Sequence, residues 1–137
     1  MPSAKPVGCD SSLLIPALSG EHEFHSLCRQ QLSRLDALPA HVLLETYSSL
    51  TGMRDGYAVP PSTVAALFAA LSLPVVQLPA EEYVPLTGLI SQAGRSGGAI
   101  YDAQIAAAAK HHGLTLLTRD RRAIATYVAV GVEYELV

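Results

Sequence analysis

Two cysteines among 137 residues, Cys9 and Cys28, are too few for a disulfide framework, and neither stands in a Cys-x-x-Cys or His-rich metal spacing. The sequence therefore points to the reducing cytosol, a cytoplasmic location. No apolar run reaches the ~18 residues that a membrane span needs. Lys5 is not followed by the apolar core of a secretory leader, because Asp10 interrupts it. Charge is scarce too. Charged residues make up 15 % of the chain and hydrophobic ones 50 %, which excludes a disordered acidic or basic tail. The only lysines are Lys5 and Lys110, and the formal net charge is −3. That balance argues against general polyanion binding, while leaving room for a nucleic acid held by a local basic patch or by metal ions. There is no P-loop, nucleophile elbow or Gly-x-Gly-x-x-Gly fingerprint, and no internal repeat.

The chain that remains is long enough for one domain, 1–137, burying about two-thirds of its unfolded surface. Residues 6–10 read as a short buried strand ending at a carboxylate. Ser11 and Ser12 open a helix that Gly20 closes. Apolar spacing predicts helices over 21–35 and 40–54, with 37–39 extended between them. Asp55-Gly56-Tyr57 is a turn. Pro60-Pro61-Ser62 opens a helix reaching Leu73, where Pro74 stops it. A strand over 75–78, a helix over 80–93 and a glycine-rich loop over 94–98 follow. Residues 99–112 form an alanine-rich helix, with Gly113 just past its end. Residues 114–118 are a near-continuous apolar strand of the kind buried on both faces. A short helix over 121–130 and a last strand over 132–137 complete the chain. Alternating strands and helices predict an α/β three-layer sandwich with a mainly parallel central sheet of four to five strands.

Only twelve residues are acidic, so their placement is informative. Glu21, Glu23, Glu81 and Glu82 fall in helix first turns, Asp36 and Asp55 in connections, and Glu133 and Glu135 on the last strand. All of these suit solvated charges. Asp10 and Asp120 end two strands that, in a parallel sheet, finish at the same carboxyl edge. Asp102 opens the alanine-rich helix. That helix descends ~16 Å to Gly113 at ~1.5 Å per residue. The strand then climbs back ~20 Å at ~3.3 Å per residue, returning Asp120 to the edge that Asp102 left. Glu45 lies in a helix that also begins near this edge, on a strip with His41, Ser48, Ser49 and Gly52. Singly, Asp10 and Asp120 are helix caps, Asp102 a dipole partner and Glu45 an exposed helix residue. Together, four converging carboxylates repel one another unless protons or cations are shared among them. Hard divalent cations with oxygen ligands fit that need, and such an ion activates water and stabilises charge on a phosphoryl group.

The order Cys9-Asp10-Ser11-Ser12, Leu44-Glu45-Thr46, Tyr101-Asp102-Ala103 and Gly113-Leu114-Thr115-Leu116-Leu117-Thr118-Arg119-Asp120 resembles the PIN-domain ribonucleases. Among them it is most similar to the VapC-type toxins of bacterial type II toxin–antitoxin pairs, over essentially the whole chain. The resemblance implies a Mg²⁺- or Mn²⁺-dependent endoribonuclease with Asp10, Glu45, Asp102 and Asp120 as catalytic acids. Asp10, Asp102 and Asp120 would be the metal ligands. Ser12 and Thr118, and more distantly Ser11, would be supporting hydroxyls. It implies 5′-phosphate and 3′-hydroxyl products, a homodimer, and a VapB-like antitoxin covering or entering the active groove. The chain departs from the family in two places: many members have an aromatic residue shortly after the last aspartate, where Arg121-Arg122-Ala123-Ile124 stands here, and extra residues precede Val7.

Arg119, Arg121 and Arg122 flank Asp120 at a helix start where cations are slightly unfavourable, which makes them candidates for RNA phosphate contacts. Arg95, in its glycine loop, is a fourth. His111 and His112 read as dipole partners at a helix end, and Cys9 and Cys28 as packing residues. His22, His25 and His41 lack the partners of a general base. Apolar surface left on the helices over 12–35 and 40–54 suggests burial in a homodimer. Two other readings compete. A receiver-like signalling module needs adjacent acids after the first strand and a late lysine, which this chain lacks. A non-catalytic metal- or RNA-binding module, such as a degenerate PIN domain, needs a broken acid set.

Overall fold

The computed structural model describes residues 4–54 and 56–137. The turn assigned to Asp55 and the chain before Ala4 lie outside the described residues. The elements are β1 (Val7–Cys9), α1 (Ser11–Leu18), α2 (His25–Gln31), β2 (Leu38–Pro39), α3 (Ala40–Thr51), α4 (Pro61–Leu71), β3 (Val75–Val76), α5 (Tyr83–Gln92), α6 (Ala99–His111), β4 (Thr115–Thr118), α7 (Ile124–Val130) and β5 (Tyr134–Leu136). Single 3₁₀ turns follow α2 and precede α5 and α7, over Leu32–Arg34, Ala80–Glu82 and Arg121–Ala123.

All strand pairs are parallel. β4 lies between β1 and β5, and β2 pairs with β3. The expected single sheet is divided, because β2 and β3 are two residues each and share no ladder with β1. The gap is narrow. The Asp36 N–H donates to the Val7 carbonyl at 2.8 Å, and the Val7 N–H returns a bond to the Asp36 carboxylate at 2.9 Å. Gly8 permits this approach, since a β-carbon there would stand 3.0 Å from the Ala37 carbonyl oxygen. β2 thus sits on the far side of β1 from β4. The chain's winding reverses between β1 and β4, the place where open α/β sheets keep their sites.

Leu116 and Leu117 are neighbours on β4 and point to opposite faces. Both are fully buried, so helices cover the strands on both faces. Burial of each such side chain stabilises the fold by about 1.5–3 kcal/mol. α6 follows the alanine-rich reading, burying Ala103, Ile105, Ala106, Ala108 and Ala109. Gly113 (φ 70°) ends it, and the Leu114 N–H reaches back to the Ala109 carbonyl at 2.8 Å. The helix expected over 21–35 is the main correction. Residues 21–24 are turns, α2 is seven residues long, and Leu32–Arg34 tightens to 3₁₀. Cys28 is the buried residue of α2, so a single contact point rather than an apolar stripe fixes it. Cys9 and Cys28 are free and buried, as packing residues are. Among the described residues no helix is long and apolar enough to cross a membrane.

Candidate active site at the carboxyl edge

Asp10 leaves β1 in extended conformation and caps α1, its Oδ1 accepting from the Ser12 N–H at 3.0 Å. The Ser12 hydroxyl donates to the same oxygen. Oδ2 accepts from the Thr118 hydroxyl and from the Tyr127 hydroxyl, the latter at 2.6 Å. Four donors therefore converge on a carboxylate that is 3 % exposed. Burial raises its pKa, and the bonds from Ser12, Thr118 and Tyr127 hold it down against that.

The same hydroxyls organise the loop after β4. Ser12 Oγ accepts from the Arg119 N–H at 2.8 Å, and Thr118 Oγ1 accepts from the Asp120 N–H at 3.1 Å. Asp120 caps the following 3₁₀ turn through the Arg122 N–H at 2.9 Å. Capping and convergence thus coexist: the bonds that turn the chain at Asp10 and Asp120 also aim both carboxylates at one edge.

Asp102, in the first turn of α6, is half-buried, and no hydrogen bond among the described residues reaches its carboxylate. Burial, then the charges of Glu45, Asp120 and Asp10, push its pKa up to about 6, with Arg95 opposing them. Glu45, Asp120 and Asp10 thus lie close enough to Asp102 for their charges to act on it. Glu45, on α3, accepts from the Ser11 hydroxyl at 3.3 Å. Burial and the nearby Asp10 raise its pKa too, while His41 and Ser11 pull it down.

Tyr127 is the residue that sequence reasoning missed. Its ring is fully buried, and burial with the neighbouring Asp10 carboxylate lifts its own pKa far above the usual range, so it remains a proton donor. The available signal was a tyrosine, rather than a phenylalanine, on the buried face that α7 shares with Thr126 and Val130; a buried hydroxyl requires a partner.

The arginines divide. Arg95 is engaged, donating from Nε to Thr126 Oγ1 at 3.1 Å and from a terminal nitrogen to the Arg122 carbonyl at 3.4 Å. It braces the glycine loop against α7. The Arg119 guanidinium lies 4.0 Å above the Phe24 ring, and its Nε is buried without a partner among the described residues. Arg121 and Arg122 are exposed. Ser11, Ser12, Arg119, Asp120, Arg122 and His22 share a cleft of about 390 Å³ on one side of the acids. On the other side, Glu45 joins His41, Leu44, Ser48, Ser49 and Tyr101 around a cleft of about 460 Å³. There the His41 and Tyr101 rings are stacked, centroids 5.3 Å apart and planes 7° from parallel.

Among the described residues no three His, Cys, Asp or Glu side chains are closed up tightly enough to cage a metal as they stand. The fit to a divalent ion rests on donor chemistry. The acids offer only hard oxygen ligands, and Asp102 is crowded by negative charge, with no hydrogen-bond donor among the described residues and only the Arg95 charge against it.

Residues 8–129 match the PIN domain family. The chain is 39 % identical over 129 residues to Ribonuclease VapC40 of Mycobacterium tuberculosis, covering 93 % of this chain and 96 % of that protein. It is 35 % identical over 128 residues to Ribonuclease VapC27 of the same species, covering 93 % of each. The crystal structures of FitAcB from Neisseria gonorrhoeae (TM-score 0.61, 20 % identity, 93 % of this chain and 95 % of that one) and of PAE2754 from Pyrobaculum aerophilum (0.61, 18 %, 94 % and 83 %) share its fold. With this architecture and these relatives, the chain belongs to the PIN-domain family, as a VapC-type member.

Proposed function

We propose that the chain is a Mg²⁺- or Mn²⁺-dependent endoribonuclease, the toxin of a toxin–antitoxin pair, hydrolysing RNA phosphodiester bonds at the edge formed by Asp10, Glu45, Asp102 and Asp120. The observation that carries this reading is Asp102: a half-buried carboxylate, without a hydrogen-bond donor among the described residues, within reach of the charges of three more acids. The relatives' name, ribonuclease, agrees with it.

Asp10, Asp102 and Asp120 would hold the cation. When bound, it supplies Lewis-acid stabilisation of phosphoryl charge and a water of lowered pKa. Ser12, Thr118 and Tyr127 fix the Asp10 carboxylate so that it does not rotate away from the edge. Glu45, oriented through Oε1 by Ser11, keeps Oε2 available to accept a proton from the attacking water. Arg121 and Arg122, exposed beside Asp120, would meet the RNA phosphates, whereas Arg95 serves the loop and moderates the charge on Asp102. No side-chain nucleophile is needed.

A single domain over 1–137, a cytoplasmic location, a VapB-like antitoxin and a homodimer complete the proposal. Phe24, Leu27 and Tyr47 on or beside α2 and α3 are each more than a third exposed, which supports the dimer. The test is RNA cleavage by the purified chain with EDTA, Mg²⁺ or Mn²⁺. Cutting only with the metals is expected. Equal cutting in EDTA, or none in any condition, contradicts the proposal.

A further inference from the structure

The two clefts flanking the acids differ in chemistry. The one beside Asp120 is cationic, with Arg119 and Arg122 at its walls. The one beside Glu45 offers two aromatic rings, two serine hydroxyls and a leucine, but no arginine or lysine. An RNA strand laid across the edge cannot present phosphate equally to both. Its phosphates suit the arginine side, and a neutral nucleobase suits the aromatic side.

Tyr101 is 53 % exposed although it sits next to Asp102 in the first turn of α6. An exposed tyrosine ordinarily samples several rotamers. Here the ring lies parallel to that of His41, a packed arrangement that leaves less freedom to be lost on binding than a ring standing alone in solvent. His41, Glu45 and Ser48 recur on one face of α3, which places the ring pair one helical turn from Glu45. Ser48 and Ser49 are exposed and able to exchange hydrogen bonds with a base edge. Base–aromatic stacking is the main sequence-tolerant way in which proteins hold single strands.

We infer that the His41–Tyr101 pair, with Ser48 and Ser49, is a nucleobase subsite that seats one unpaired base of the RNA next to the acidic edge. The inference rests on the proposed ribonuclease reading and deepens it.

A double-mutant cycle tests it. Binding of a short fluorescein-labelled single-stranded RNA is followed by anisotropy, with Ca²⁺ replacing Mg²⁺ to keep the strand intact. Wild type and Tyr101→Leu are each titrated with the parent RNA and with a series carrying one abasic nucleotide. Tyr101→Leu is expected to bind the parent about tenfold more weakly, with Tyr101→Phe restoring affinity. One abasic position should weaken wild type by a similar factor and leave Tyr101→Leu unaffected. Thermal midpoints should be unchanged, because Tyr101 is exposed. Additive losses, an unaltered affinity in Tyr101→Leu, or no RNA binding by wild type overturns the subsite. A result in which Tyr101→Leu loses only binding to a protein partner overturns it as well, and assigns the rings to that interface. Cleavage by wild type in Mg²⁺ is scored separately. Coupling without cleavage removes the ribonuclease reading and keeps the subsite; cleavage without coupling does the reverse.

Discussion

On the β1–β4–α7 side of the edge, the Asp10 carboxylate meets donors from Ser12, Thr118 and Tyr127 and is almost wholly buried. On the α3–α6 side, Asp102 is half open to solvent and receives no donor among the described residues, while Glu45 receives one long bond. Both sides carry acids whose pKa is raised by burial, but the protein answers them differently. Asp10 is held by four hydrogen bonds from the chain itself. Asp102 has only the more distant charge of Arg95 against its acidic neighbours, and so is the readier of the two to take a proton or a cation. Four acids in a row of motifs would look alike in a sequence; in the structure Asp10 is fixed by four donors, while Asp102 receives none among the described residues.

The sharpest way to break the comparison is to remove the carboxylate of Asp102. Asp102→Asn should lower Mg²⁺-dependent RNA cleavage by at least ~100-fold, more than the 10- to 100-fold typical of outer-shell changes. Retained turnover would remove Asp102 from the site. Second, Asp10→Asn should destabilise the fold by about 2–3 kcal/mol in urea denaturation. The amide cannot accept on both sides, so at least one buried donor loses its partner. An unchanged midpoint would show that the four bonds matter little. Third, Tyr127→Phe should cost about 1.5–3 kcal/mol, the value of one hydrogen bond to a charged group. It should also raise the Mg²⁺ midpoint about tenfold while leaving the rate at saturating metal nearly intact, as loss of an orienting group does. A fall in rate without a midpoint shift would mean that Tyr127 acts otherwise.

The smallest expected effect is on pH dependence without metal. The folded pKa of Asp102, about 6, lies above its unfolded value, so the folded state holds the proton more tightly. Asp102 then contributes stability below about pH 4, and that contribution is lost as pH rises through about 6. Solvent screening at a half-open carboxylate reduces the full-shift value to something on the order of 1 kcal/mol. In EDTA, the difference between Asp102→Asn and wild type should therefore widen in favour of the variant between about pH 4 and 7. A constant difference over that range would show that Asp102 is not crowded by its neighbours.

Much of this was legible in the chain itself. The descent of α6 and the return along β4 follow from residue rises alone, and both elements form where the sequence suggested. β4 is buried on both faces because its apolar run has no polar alternation. The 21–35 helix failed because apolar spacing alone does not distinguish a continuous stripe from one buried cysteine flanked by turns. The sheet divides after β1 because β2 and β3 are too short to extend the ladder, a matter of tertiary contact at Gly8 and Asp36. Tyr127 stayed hidden because its partner lies 117 positions away, at the opposite end of the sequence. Arg95 looked free in a glycine loop, and only the packing of that loop on α7 shows its guanidinium already engaged.

On the proposed reading, Asp102 takes a metal ion in place of a hydrogen-bond donor from the chain. Thermal unfolding of wild type and Asp102→Asn at neutral pH, each with EDTA and with millimolar Mg²⁺, tests it most directly. The account predicts that the variant melts higher than wild type in EDTA, because one repelling charge is gone. It predicts that Mg²⁺ raises the wild-type midpoint and raises the variant's much less, since an ion that prefers the folded state stabilises it in proportion to its binding. A variant that melts lower in EDTA and responds to Mg²⁺ as wild type does would contradict the account, leaving Asp102 a first-turn dipole partner and nothing more.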